Sequence, residues 1–456
     1  MVSKLKKEPI ISVSGLRGIV GESLSPINAA QYVAAFVSGL KRPGKVIVTR
    51  DGRTTGPMLA QAIASAVQAC GFDVLYGDVA ATPTTGILVR SNKAAGGIQI
   101  SASHNPPPYN GIKLFGEDGR VISADQGQAV IDRYRNGTYD FVAFDQVGTR
   151  SEIADTITAH LQLVLNTINR EAIRNARFKV ALDSNHGAGA VLGEVLLREL
   201  GCDVQIMGRE PDGLFEHPPE PTEKNLASVV SQAKTFGADV VFCQDPDADR
   251  LAIIDETGNY IGEEYTLALT MDHALSQLDA KGKIVVTNCS SSRMSADIAA
   301  RHGAQFQMSA VGEANVTGLM IESKAVYGGE GNGGPIDPRV GYVRDSFAAM
   351  AQVLDLMAAR KKSISELARE LPRYEIHKTT VAVAPEKVAI LLDRLADAFH
   401  DATPNRKDGL RLDWDNRWLL VRPSNTEPIV RAIAEAESAH AAQELCERTA
   451  SLASEL

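Results

Sequence analysis

Hydrophobic and polar positions along this chain repeat in one order three times. The segments are Lys45 to Gly77 (KVIVTRDGRTTGPMLAQAIASAVQACGFDVLYG), Lys179 to Gly208 (KVALDSNHGAGAVLGEVLLRELGCDVQIMG) and Lys283 to Gly312 (KIVVTNCSSSRMSADIAARHGAQFQMSAVG). Each starts on a lysine, passes through a β-branched apolar run of strand type and breaks at a polar turn. Each then resumes at helical spacing and, after a glycine, returns to a strand. In the second segment Val191, Leu192, Val195, Leu196, Leu197 and Leu200 combine i+3 and i+4 spacings, and Gly201 supplies the left-handed stop. Strand, helix and strand in that order place two strands parallel in one sheet. Three such units predict three related α/β domains with mixed, largely parallel sheets, descended from one ancestral unit.

After about Glu370 the rhythm changes. Tyr374 to Val383 reads as a strand, Glu386 to Phe399 as a helix, Gly409 to Val421 as two strands and Ala439 to Ser454 as a helix. This predicts a smaller C-terminal α+β domain. Boundaries near Asp155, Glu256 and Leu371 divide the chain into domains at 1–154, 155–256, 257–370 and 371–456. A length of 456 residues agrees, because domains run to ~100 to 200 residues each.

Composition narrows the partners. Apolar residues at 44% and charged residues at 23% describe an ordinary soluble chain. A net charge of -9 argues against general nucleic-acid binding, which needs a broad basic surface. Lys4, Lys6 and Lys7 are followed by no signal-length apolar run, and no stretch reaches the ~20 apolar residues that span a bilayer. The expected compartment is the cytoplasm, with no membrane partner. Cys70, Cys202, Cys243, Cys289 and Cys446 are scattered and odd in number, as small core residues rather than disulfides or zinc ligands.

Four loops carry candidate chemistry. In Ser101 to Lys113 (SASHNPPPYNGIK) three prolines and Asn110-Gly111 stiffen the backbone around Ser103. A serine hydroxyl needs a base or a cation to become nucleophilic, and His104 and Lys113 flank it. A serine capping a backbone turn is the simpler reading of this loop alone. In Gln244 to Arg250 (QDPDADR) the alternating Asp245, Asp247 and Asp249 can converge on one hard divalent cation. They match the first, third and fifth positions of an EF-hand, and Glu256 falls at the twelfth. Arg250, however, stands where that loop needs glycine, and the flanks read as strands, which favours magnesium over calcium. In Gly328 to Gly334 (GGEGNGG) the glycines allow close backbone approach, and Glu330 and Asn332 suit sugar hydroxyls, although a flexible linker would read the same way. In Arg422 to Arg431 (RPSNTEPIVR), Arg422, Ser424, Asn425, Thr426, Arg431 and turn amides make a phosphate cradle without a basic patch. A fifth loop, Ser14 to Gly18 (SGLRG), brings Arg17 as a further cation for the serine loop.

Taken together and in this order, the loops resemble the α-D-phosphohexomutase superfamily over nearly the whole chain, most specifically through SASHNPPPYNGIK and DPDADR. The resemblance implies that Ser103 carries a phosphoryl group. It implies that Asp245, Asp247 and Asp249, with an oxygen of the phosphoserine, bind Mg2+, and that Glu330 and Asn332 select the sugar. Arg422, Ser424, Asn425 and Thr426 would hold the phosphate that does not react. Magnesium, Arg17, Lys113 and Arg250 would neutralise the transferring group. A hexose 1,6-bisphosphate is the implied intermediate and activator, a small phosphosugar the implied partner, and no oligomeric state follows. Many relatives carry serine at the place of Asn332 and histidine at that of Gly334, and several bacterial ones carry lysine at that of Ala310. These departures resemble the archaeal-type phosphoglucosamine mutase branch and make glucosamine phosphate the first choice, ahead of mannose and glucose phosphates. A catalytically silent phosphosugar binder and a phosphatase are the competing readings. The intact serine loop and aspartates speak against the first, and the separate cradle and sugar loops against the second.

Overall fold

A computed structural model of the protein describes residues 7–13, 15–424 and 428–456. The three strand–helix–strand units form as their apolar spacing dictates. They are Lys45–Arg50, Gly56–Ala69 and Asp73–Val79; Lys179–Asp183, Gly189–Glu199 and Asp203–Met207; and Ile284–Asn288, Met294–Arg301 and Gln305–Ser309. In each unit the two strands pair in parallel. In Gly189–Glu199 the residues Leu192, Leu196 and Leu197 are buried, whereas Val195, expected on the same stripe, is 40% exposed. It lies about 100° around the helix from Leu196, beyond the face that meets the core.

All three units then continue alike. A second helix (Thr82–Ser91, Ala227–Phe236 or Glu313–Ser323) leads to a third parallel strand on the other side of the first: Gly96–Ile100, Val240–Gln244 or Tyr327–Glu330. A fourth strand, Tyr109–Phe115, Leu251–Asp255 or Gly334–Ile336, folds back antiparallel on the third. In the first sheet Gly15–Ile19 and Ile10–Ser12 extend one edge and Arg150–Glu152 the other, giving seven strands against four in each of the next two.

The last domain is a five-stranded antiparallel sheet in the order Glu375–Ala382, Ile429–Ala436, Trp418–Pro423, Leu410–Asp413, Thr403–Asn405, with helices Pro385–Ala398 and Ala439–Ser454. Ile429–Ala436 and Thr403–Asn405 are strands beyond those that the sequence pattern predicts. The largest apolar cluster joins the second and third sheets around helix Ser346–Arg360 and takes in Ala81 and Ile87 from the first domain. The first and last domains have cores of their own, and Trp418 and Leu420 of the last pack on Cys289 of the third. All five cysteines are free, four of them buried and Cys202 half-buried. No helix among the described residues is long and apolar enough to cross a membrane.

Candidate active site

The loops singled out in the sequence share one topological position. Residues 101–108, 245–250 and 331–333 are the turns between the third and fourth strands of the three sheets, and the fourth stretch follows the strand Trp418–Pro423 and precedes Ile429–Ala436 in the chain. The first three lie at the carboxyl ends of parallel strands, where open α/β sheets bind ligands. The glycine-rich stretch is less of a loop than its composition predicts. Gly328, Gly329 and Glu330 are strand residues, leaving a three-residue turn. Asn425 and Thr426 lie outside the described residues.

Ser103 is buried and its φ of 47° is left-handed, a backbone that an L-residue holds only when its surroundings impose it. The imposing group is Arg53, which the sequence reading did not single out. Its buried guanidinium donates to the carbonyls of Ser103, Asn105, Pro106 and Tyr109, at 2.6 to 3.0 Å. Asp51 orients Arg53 from below through its Oδ2 at 3.2 Å and also accepts from Ser101 Oγ at 2.7 Å. Ser103 Oγ donates to Asp245 Oδ2 at 2.7 Å, and His104 Nδ1 lies 3.3 Å from Ser103 Oγ. Burial, Arg250 and Arg17 push the His104 imidazole down to about 3, so it is neutral at pH 7. Arg17 reaches Asn105 Oδ1 at 3.2 Å on the same loop.

Asp245, Asp247 and Asp249 are fully buried, with one oxygen of each within 4.8 Å of the others. The turn is tight: Ala248 N donates to Asp245 O, and Ala248 is left-handed at φ 53°. Lys113 Nζ sits 3.1 Å from Asp247 Oδ2 and 2.9 Å from Asp249 Oδ2, and Thr82 Oγ1 donates to Asp247 Oδ2. Burial and the other two carboxylates push Asp245 well above the usual carboxylate range. Burial also disfavours charge at Asp247, but Lys113 and Thr82 outweigh it and hold that group below the range. Asp247 Oδ1 and Asp249 Oδ1 are buried with no hydrogen-bond partner among the described residues. Two orphaned carboxylate oxygens beside a third acid suit a divalent cation with open coordination positions. The flanking strands and the bonding of Glu256 to Ser365, remote from the turn, exclude an EF-hand. Arg250 N donates to Asp245 Oδ1 at 3.2 Å, and its Nε stands 3.9 Å from Asp249 Oδ1.

Glu330 is buried and both oxygens of its carboxylate have partners. Oε1 accepts from Asn288 Nδ2 at 2.6 Å and Gly312 N at 3.0 Å, and Oε2 pairs with Arg344 Nη1 at 3.1 Å. Asn332 is half-buried at the tip of the turn, and its Oδ1 has no partner among the described residues. Leu251 N donates to Gly333 O at 2.8 Å, so the sugar turn rests on the end of the metal turn. A Cβ at Gly333 would stand 2.3 Å from Leu251 O, which leaves room only for glycine.

In the last domain Arg422 and Arg431 face each other across the hairpin, and Ser424 N donates to Ile429 O. Arg422 Nε bonds to Asp408 Oδ1 at 3.2 Å, while Asp408 Oδ2 accepts from Val311 N at 3.0 Å. Val311 adjoins Gly312, which holds Glu330. Thus Ser103, His104, Lys113, Arg17, Arg250 and the three aspartates form one cluster. Glu330 joins it through Arg344, and Arg422 approaches through Asp408. Thr82, Arg53 and Arg344 escaped the sequence reading; only the charged RDGR turn of the first repeat hinted at Arg53.

Comparison with known proteins decides the family. The models described as phosphoglucomutase/phosphomannomutase alpha/beta/alpha domains I, II and III match residues 9–140, 158–258 and 262–374, and that of the C-terminal domain matches 381–452. The chain belongs to this family. Its relatives in the phosphoglucomutase/phosphomannomutase family include a protein of that name from Thermococcus kodakarensis, 36% identical over 95% of this chain and 96% of that one. A probable phosphoglucosamine mutase from Methanopyrus kandleri is 32% identical over 95% of both. The solved structure of a phosphoglucomutase/phosphomannomutase family protein from Burkholderia thailandensis superposes with a TM-score of 0.84 at 26% identity, covering 98% of each chain. The family is one of isomerases that move phosphoryl groups, and the architecture of three α/β domains and a smaller fourth is its layout.

Proposed function

We propose that this isomerase interconverts a hexose 6-phosphate and a hexose 1-phosphate through phosphorylated Ser103 and a hexose 1,6-bisphosphate. Glucosamine 6-phosphate to glucosamine 1-phosphate is the favoured reaction. The observation that carries the reading is the meeting of Ser103 Oγ with Asp245 Oδ2 at 2.7 Å, beside two orphaned carboxylate oxygens. In the first half-reaction the bond from phosphorus to the serine oxygen breaks as one forms to the free hydroxyl of the hexose monophosphate. The hydroxyl proton must leave, and His104 Nδ1, neutral and 3.3 Å from Oγ, is placed to exchange a proton at that atom. The second half-reaction reverses these bonds at the other end of the bisphosphate.

Asp245, Asp247 and Asp249 would hold Mg2+, which supplies charge neutralisation for the oxygens of the transferring group. Lys113 and Arg250 hold the same carboxylates from the protein side. Glu330 and Asn332 would accept from sugar hydroxyls, using the lone pair of Glu330 Oε2 that Arg344 leaves and the Oδ1 of Asn332, which has no partner among the described residues. Arg422, Ser424, Asn425, Thr426 and Arg431 would hold the other phosphate, and one cradle then serves both orientations of the bisphosphate. Glucosamine phosphate is favoured by the likeness to the Methanopyrus relative and by the Asn332 and Gly334 turn. The Thermococcus relative keeps glucose and mannose phosphates next in order.

The test is the Mg2+-dependent isomerisation of glucosamine 6-phosphate, mannose 1-phosphate and glucose 1-phosphate, primed with hexose 1,6-bisphosphate. Turnover that is lost in Ser103→Ala supports the mutase, and the ranking of rates names the sugar. Turnover that survives in Ser103→Ala would overturn the phosphoserine route.

A further inference from the structure

Arg344 lies between the strand Gly334–Ile336 and the helix Ser346–Arg360, ninety-five positions beyond its partner in the metal turn. Its guanidinium is buried and spans two loops. Nη2 donates to Asp249 Oδ2 at 2.6 Å, and Nη1 lies 3.1 Å from Glu330 Oε2. A third carboxylate, Glu313 of the SAVGEANV stretch, accepts from Arg344 N at 2.9 Å and stands 3.5 Å from Nε. Three buried acids around one planar cation leave it little freedom, because moving it breaks charge-assisted bonds in a low-dielectric interior.

The contact with Asp249 divides the work of that carboxylate. Oδ2 receives both Arg344 and Lys113, while Oδ1 has no hydrogen-bond partner among the described residues. The contact with Glu330 fixes the second oxygen of a carboxylate whose first is already held by Asn288 and Gly312. One rigid fork therefore sets the sugar turn at a fixed distance from the metal turn. Space for the fork comes from Gly334. A Cβ at that position would stand 2.4 Å from Arg344 Cδ and 2.8 Å from its Cγ, below any real carbon contact. Gly334 and Arg344 are thus one device, and a side chain at 334 displaces the arginine stem.

We propose that Arg344 is a positioning residue for substrate selection, acting through Glu330 and Asp249 and admitted to its site by Gly334. The proposal rests on the mutase reading for its activity readout. Lysine cannot replace the fork, since a single ammonium cannot span two carboxylates as a planar guanidinium does.

The test is a double-mutant cycle read on KM and kcat for the best of the three sugars, with melting curves to confirm folding. Arg344→Met and Glu330→Gln should each raise KM about tenfold or more, the size of one charge-assisted bond. The double variant should be no worse than the poorer single one, because both remove the same contact. Gly334→Ala, which removes no charge, should shift KM the same way by a smaller factor. Arg344→Lys should recover less than half of the loss on a logarithmic scale. Additive losses in the double variant, an indifferent Gly334→Ala or full rescue by lysine would overturn the proposal. If the native protein isomerises none of the sugars, the mutase reading falls instead. The same cycle is then read on the dissociation constant for glucose 6-phosphate, where non-additivity supports the positioning role and additivity overturns it.

Discussion

The serine turn and the sugar turn occupy the same place in two copies of one fold, yet each is held differently. In the first domain the polar turn after the leading strand supplies Asp51 and Arg53, and the arginine grips four backbone carbonyls. In the third domain the matching position supplies Asn288, whose amide holds one side-chain oxygen of Glu330. Both begin with the same local device. An Asx oxygen accepts from the amide two residues on, Arg53 N to Asp51 and Ser290 N to Asn288. A grip on four carbonyls fixes where a whole turn lies, as the proposed in-line attack at Ser103 requires. A grip on one carboxylate fixes a single binding group, and the backbone of the sugar turn is held more sparsely, by Gly331 N to Ser291 Oγ and Leu251 N to Gly333 O.

That contrast yields graded predictions. The largest effect is expected from Arg53→Met, which frees the serine turn and leaves Asp51 buried without its cation. Here kcat should fall by ~100-fold or more, the scale of an ångström-size misplacement, together with a clear loss of melting temperature; unchanged kcat would show that the prolines alone hold Ser103. Asn288→Ala should instead act on KM, raising it by ~10-fold with kcat nearly preserved, as expected for one bond to a charged group. A fall in kcat alone would erase the distinction between the two grips. A smaller change is expected from Thr82→Val, which takes one donor from Asp247 and should shift the Mg2+ concentration for half-maximal activity by about threefold, read by metal titration.

The second domain carries a third version of the brace, and it titrates. Asp183 Oδ1 accepts from Asn185 N, while its Oδ2 lies 2.9 Å from His217 Nε2; His217 Nδ1 lies 2.9 Å from Pro218 O. With an acceptor at each nitrogen the doubly protonated ring fits best. Burial opposes the charge but is outweighed by Asp183, so the pKa of His217 is raised. A raised pKa means that this contribution is complete below the ordinary histidine value and is lost as pH rises through the folded one. Melting temperature should therefore decline as pH rises above the ordinary histidine value of about 6.5 in the native protein, with a flatter profile in His217→Gln. Parallel profiles in the two proteins would remove His217 as its source.

The repeat was legible because helical spacing and glycine stops survive sequence divergence. The Ser103 and aspartate turns were legible because proline runs and alternating acids are rare local patterns. The common hairpin position of the turns was hidden, since SASHNPPPY, DPDADR and GNG share no residue pattern. Arg53 and Arg344 were hidden for another reason. Arg53 bonds to carbonyls, which every residue has, and the partners of Arg344 meet it only through folding, Glu313 and Glu330 from elsewhere in its own domain and Asp249 from the second. Val195 was misplaced because an apolar residue at the edge of a stripe looks the same as one inside it.

The long separation between Asp249 and Arg344 bears on how the chain is made. The acidic turn is complete once residue 250 has been synthesised, but one of its countercharges is supplied only at residue 344. A nascent chain ending between them would fold a sheet whose three acids have Lys113 and Arg250, but not yet Arg344, to quiet their repulsion. Until the third domain arrives, Asp249 lacks the planar fork that ties it to Glu330, and its second oxygen is held by Lys113 alone.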